Sequence, residues 1–200
     1  MSRKKAIEKF DVYNLEYEYW NRKASLNGGY YCETYLKKAN IICNRNGSFK
    51  YYIEALSIMR LLAEEGSHPI KIEAYIGKFT KKEALKVSDY ADRLLIHAYV
   101  RHPKKSYRYT RKRLKFLSKI NSKICISIIF SAERKFMGRW FTKNDHRKAE
   151  EIFLKKINKH HKKLNFDGFT YYNYSNFKKA ITHYNRKNRN TENTYIKNEY

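Results

Sequence analysis

Two hydrophobic rhythms alternate along the chain. Short apolar or every-second-residue runs take turns with longer segments whose apolar positions recur three and four apart. Residues 9–20 (KFDVYNLEYEYW) alternate and are rich in Tyr, which predicts a strand. Residues 21–48 are polar and irregular, with Gly28-Gly29 and Asn46-Gly47, and predict a long loop with a helix near 34–40. Residues 49–65 place Ile53, Leu56, Met59 and Leu62 on one helical face, with Gly66 as the stop. A strand over 70–79 follows. Thr80 with Glu83 three residues on is a capping-box pattern, so a helix runs from there to about Tyr90.

The second half repeats the scheme. Strands are predicted at 92–100, 123–133 and 166–175, and helices at 106–120, 145–162 and 176–184. The last residues, 185–200, have no periodicity and read as a disordered basic and polar tail after a single domain over 1–184. Strands alternating with helices predict parallel pairing and right-handed crossovers. The expected fold is therefore α/β, a partial (β/α)8 TIM-type barrel of about five parallel strands. An open parallel α/β sheet is the alternative. A full barrel needs eight strands and ~250 residues, and no glycine-rich phosphate loop follows the first strand.

Composition narrows the classes. The 200 residues carry a net charge of +25, with 32% charged and 42% hydrophobic residues, which fits neither a membrane protein nor a wholly disordered one. Clustered Lys and Arg would suit a polyanion. Here the Lys residues spread over the whole chain, so compositional drift is preferred and a nucleic-acid partner is disfavoured. Cys32, Cys43 and Cys125 show no CxxC spacing, so neither a zinc site nor a disulfide framework is expected. No secretory signal or apolar span of membrane length is visible. As written, the chain reads as soluble and cytoplasmic, and as secreted if its amino terminus is truncated.

The first strand holds the candidate chemistry. Alternation sets Asn14, Glu16, Glu18 and Trp20 on one face, and Tyr13, Leu15, Tyr17 and Tyr19 on the other. Two neighbouring carboxylates cannot both ionise cheaply, which is how a general acid for neutral pH is made. On alternation alone, an acid pair and a solvated acidic edge stand level.

FDVYNLEYEYW at 10–20 resembles the active-site strand of family 18 glycoside hydrolases, the chitinase-like barrels, whose motif is Asp-Gly-x-x-x-Asp-x-Glu on the fourth barrel strand. Asp11 matches the first Asp, Asn14 the variable polar position and Glu18 the terminal Glu. Glu16 falls on the last Asp and Val12 on the usual Gly. The resemblance implies Glu18 as proton donor and Glu16 as the group orienting the substrate's N-acetyl group, a substrate-assisted route. It further implies that the strands at 70–77, 92–100, 123–132 and 166–174 are the fifth to eighth. Tyr99 then steadies the N-acetyl group, with His97 on the same face. Glu73, Tyr75, Glu133, Trp20 and Tyr172 or Tyr174 line the substrate. The implied partner is an oligo- or polysaccharide with β-linked N-acetylhexosamine.

The same match implies a copy truncated before the fourth strand, with little activity alone. Pairing with a second copy or a missing amino-terminal half would complete it. A non-catalytic carbohydrate-binding relative and a basic nucleic-acid module are the competing readings. The run at 108–115 is read as a solvated helix face and Trp140 as core. His160-His161 lack ligand spacing, so no metal or cofactor is assigned.

Overall fold

A computed structural model describes residues 10–66, 68–119 and 124–197. Five parallel strands lie in one sheet and alternate with helices. The strands are β1 (Val12–Leu15), β2 (Lys71–Ile76), β3 (Arg93–His97), β4 (Cys125–Ser131) and β5 (Phe166–Tyr172), adjacent in sequence order. The helices are α1 (Arg22–Ser25), α2 (Arg45–Glu64), α3 (Lys81–Ser88), α4 (Pro103–Leu117), α5 (Gly138–Phe141), α6 (His146–His160) and α7 (Tyr174–Lys197).

Contacts divide the chain into two units. One is Met1–Ile96 with Ser122–Ile126, and the other is His97–Asn121 with Ser127–Tyr200. In the first, β1 pairs with β2 and β2 with β3, in a register that aligns Asn14 with Glu73 and Glu73 with Arg93. Ile72, Ala74, Ile76, Leu94 and Ile96 alternate with that row and are fully buried. Five such side chains supply roughly 1.5–3 kcal/mol each for the larger ones. α2 packs along β2, and the Tyr52 hydroxyl donates to the Tyr75 carbonyl at 2.6 Å.

Local chemistry starts the helices where the pattern places them. Asn44 caps α2, its side chain accepting from the Gly47 N–H at 2.7 Å. At Gly47 a Cβ would collide with the Ile42 carbonyl, so only glycine fits there. Thr80 and Glu83 close the expected capping box on α3. Pro103 opens α4, where its missing N–H is free of cost. Asp145 caps α6.

The second unit builds its core from rings. Phe130 stacks on Phe169 at 5.1 Å and meets Phe153 edge-on, while Tyr171 stacks on Phe177 at 3.9 Å. α4 lies against α6. Ser127 donates to the Gly168 carbonyl at 3.1 Å, and Gly168 holds a φ of 99° that favours glycine.

Several expectations change. The first strand is four residues, not twelve, and the predicted Lys9 lies outside the described residues. Its ladder with β2 stops at Leu15, and turn bonds take over, Tyr19 N–H to the Tyr17 carbonyl and Asn21 N–H to the Glu18 carbonyl. The long loop contains α1 and a π-helical turn over Cys32–Leu36 in place of a helix at 34–40. A disulfide joins Cys32 to Cys43, against the sequence reading of none; two cysteines eleven residues apart match no framework spacing. Closing such a loop is worth about 3 kcal/mol. α7 spans Tyr174–Lys197, taking in most of the stretch read as a tail.

Candidate functional site

The segment after β1 keeps its alternation although it leaves the sheet. Tyr17 and Tyr19 turn inward and are 5% and 0% exposed. Tyr17 shares a hydrogen bond with Ser48 at 2.9 Å, and Ser25 donates to Ser48 at 3.0 Å, a buried chain of three hydroxyls. Tyr19 packs on Phe49 and Tyr52 of α2. Glu16, exposed, and Glu18, half-buried, flank the anchored Tyr17 just past the carboxyl end of β1. Active sites of parallel α/β folds are built at that end.

The acid pair interacts. The Glu16 carboxyl is pushed above the ordinary carboxylate range, first by the protein packed around it and then by the charge of Glu18. Its side chain still meets water, which limits that push. The Glu18 N–H donates to the Tyr31 hydroxyl at 3.2 Å. Tyr31 stacks on Tyr17 at 4.3 Å, so the cystine-braced loop reaches the acid segment through a ring. Trp20 lies flat against Gly77 just beyond β2, where any Cβ would strike the indole.

A polar row crosses the sheet next to the pair. Asn14 donates to Glu73 at 2.8 Å, and Arg93 donates to the other Glu73 oxygen at 2.5 Å. Glu73 is thereby held between two donors, one on each carboxylate oxygen. Tyr75 is buried, and its carbonyl is held by Tyr52. Asp11 precedes β1 at the amino end of the strand, the end opposite to the acid pair, and its carbonyl accepts from Lys71 N–H at 2.9 Å.

In the second unit the residues predicted from strand ends gather as a wall. The His97 and Tyr99 rings are parallel at 4.5 Å, and Tyr99 meets Tyr172 at 5.9 Å and Phe136 at 5.1 Å. Burial drives the His97 imidazole down to about 4, aided by the nearby Arg113 guanidinium, so the ring is neutral at physiological pH. Arg113 itself donates to the His97 carbonyl at 2.9 Å. Glu133 turns to Ser131, whose hydroxyl donates to it at 3.2 Å, and pairs with Lys135 at 3.2 Å.

Arg93 escaped sequence reasoning as the partner of Glu73, although alternation along RLLIH sets it on the His97 face. The Arg45–Glu83 pair, bidentate at 2.7–3.2 Å, had no sequence signal across 38 positions. Among the described residues no group of three or more His, Cys, Asp or Glu is placed to hold a metal ion, and no helix is long and apolar enough to cross a membrane. Comparison with protein-family models, curated proteins and solved structures finds no match.

Proposed function

We propose that the chain is a glycoside-hydrolase-like protein, part of a (β/α)8-type barrel, acting on β-linked N-acetylhexosamine glycans with Glu18 as proton donor. The acid pair just past the carboxyl end of β1 carries this reading: Glu16 and Glu18 lie near enough that the charge of Glu18, after burial, raises the Glu16 carboxyl. Two carboxylates that feel each other's charge are the kind of pair on which glycoside cleavage draws. The sequential order of the parallel strands supports the barrel winding, since each crossover advances to the next strand with no reversal.

In the proposed reaction Glu18 gives its proton to the glycosidic oxygen as the bond from that oxygen to the anomeric carbon breaks. The carbonyl oxygen of the substrate's own N-acetyl group forms the new bond to that carbon. Glu16 steadies the positive charge that spreads onto the amide. Water then opens the cyclic intermediate and returns a proton to Glu18.

The His97–Tyr99–Tyr172 wall favours a second reading, sugar binding without cleavage, because parallel rings offer a platform to a sugar face. One experiment separates the two. The first reading predicts hydrolysis of chito-oligosaccharides that falls by ~10²–10⁴-fold in Glu18→Gln with binding kept. Binding without hydrolysis in the unaltered protein selects the second reading. Turnover unchanged in Glu18→Gln refutes the first.

A further inference from the structure

One surface feature of the second unit is not used by that chemistry. An open groove of about 610 Å³ runs along α7, lined by Tyr174, Lys178, Lys179, Thr182, His183 and Arg186, with Ser175 at its start. Its volume lies within the range of small-ligand clefts. The spacing is regular: Tyr174, Lys178, Thr182 and Arg186 form one row four apart, and Ser175, Lys179 and His183 form the next. Each step of four advances about 6 Å along the helix, so cations and hydroxyls repeat at the scale of a sugar unit.

Charge and placement give the occupant. Residues 174–186 contain no acidic side chain, and no ion pair involves Lys178, Lys179 or Arg186 among the described residues. Lys178, Lys179, Thr182, His183 and Arg186 are all exposed, and Tyr174 is 70% exposed, an amphipathic ring open to stacking. The groove begins two residues after Tyr172, at the carboxyl end of β5, so it adjoins the ring wall. A chain of net charge +25 attracts polyanions from a distance.

We infer that the α7 groove binds an anionic glycan, a polysaccharide in which N-acetylhexosamine alternates with a carboxylate- or sulfate-bearing sugar. The inference rests on the glycan reading above and names its substrate class. Lys178, Lys179 and Arg186 meet the anionic groups, Tyr174 stacks on a sugar face, and the Ser175 and Thr182 hydroxyls bond to ring hydroxyls.

The test is a binding titration of the full chain at low and moderate salt with three probes: a hyaluronan oligosaccharide, a neutral chito-oligosaccharide of equal length, and a single-stranded oligonucleotide. The hyaluronan probe is expected to bind about tenfold more tightly than the neutral one, an advantage that shrinks with salt. The triple change Lys178→Gln, Lys179→Gln, Arg186→Gln should abolish that advantage and leave neutral binding unchanged. Lys104→Gln, Arg108→Gln, Lys112→Gln removes the same charge from the exposed face of α4 and should shift hyaluronan binding by less than about twofold. Equal losses from the two triples overturn the inference in favour of undirected charge. An oligonucleotide that binds as tightly, with the same dependence on the α7 residues, overturns it in favour of nucleic acid. Hyaluronan binding lost with the α7 triple but no hydrolysis of any glycan leaves the groove standing and removes catalysis. Neutral-glycan cleavage untouched by the triple, without preferential hyaluronan binding, does the reverse.

Discussion

His97 illustrates how one side chain sets a response to acid. Its ring is 6% exposed and its pKa falls from 6.5 to about 4, because burial disfavours the imidazolium and Arg113 repels it. The unfolded chain takes up its proton near 6.5 and the folded protein only near 4. The stabilisation is therefore complete above pH 6.5 and lost as pH falls toward 4, amounting to about 3 kcal/mol. His161, also lowered by burial, acts with the same sign. Glu16 is raised and opposes them weakly, and Asp145, lowered to about 2 by Arg147, weakens the fold only below 3.8. Melting temperature against pH should show a steep acid limb that flattens in His97→Gln; an identical limb in both proteins contradicts this account.

Among the elements, the start of α3 gathers a helix cap and an ion pair on one carboxylate. Glu83 completes the capping box with Thr80 and accepts a bidentate pair from Arg45, which also donates to the Lys78 carbonyl at 3.2 Å. One carboxylate thus ties the first turn of α2 to the first turn of α3 at the ends of the strands. Replacing Glu83 with Ala removes the cap bond and leaves a half-exposed guanidinium without its anion, at a cost of about 2 kcal/mol. Glu83→Gln keeps the cap bond and should lose roughly half as much. Urea unfolding of the two variants measures the difference, and equal losses would place the whole effect on the ion pair.

At the scale of the whole chain, periodicity made the strand–helix alternation legible, because buried faces such as Ile72, Ala74 and Ile76 repeat at the period of their element. The capping box on α3 was readable because its two residues lie three apart. What stayed hidden is what depends on distant partners. The end of β1 is set by where β2 stops matching it. The disulfide forms because a π-helical turn and the start of α2 bring Cys32 and Cys43 to 5.2 Å between their Cα atoms. The candidate site was legible in its residue types and inward-facing tyrosines. Arg93, the donor that fixes Glu73, required the register between strands.

The buried phenols have a consequence at the opposite end of the pH scale. Tyr17 is pushed up to about 12, and burial also raises Tyr19, Tyr52 and Tyr171. Each keeps its proton in the folded chain beyond the point where a free phenol surrenders it. Their contribution is intact below pH 10 and drains away as alkali climbs through 10 toward 12. An ultraviolet titration of the 19 tyrosines should divide into an early class that ionises reversibly and a late class that ionises only as the fold collapses. A single smooth curve centred near 10 would contradict that division. Lye, not only acid, therefore finds a threshold in this protein.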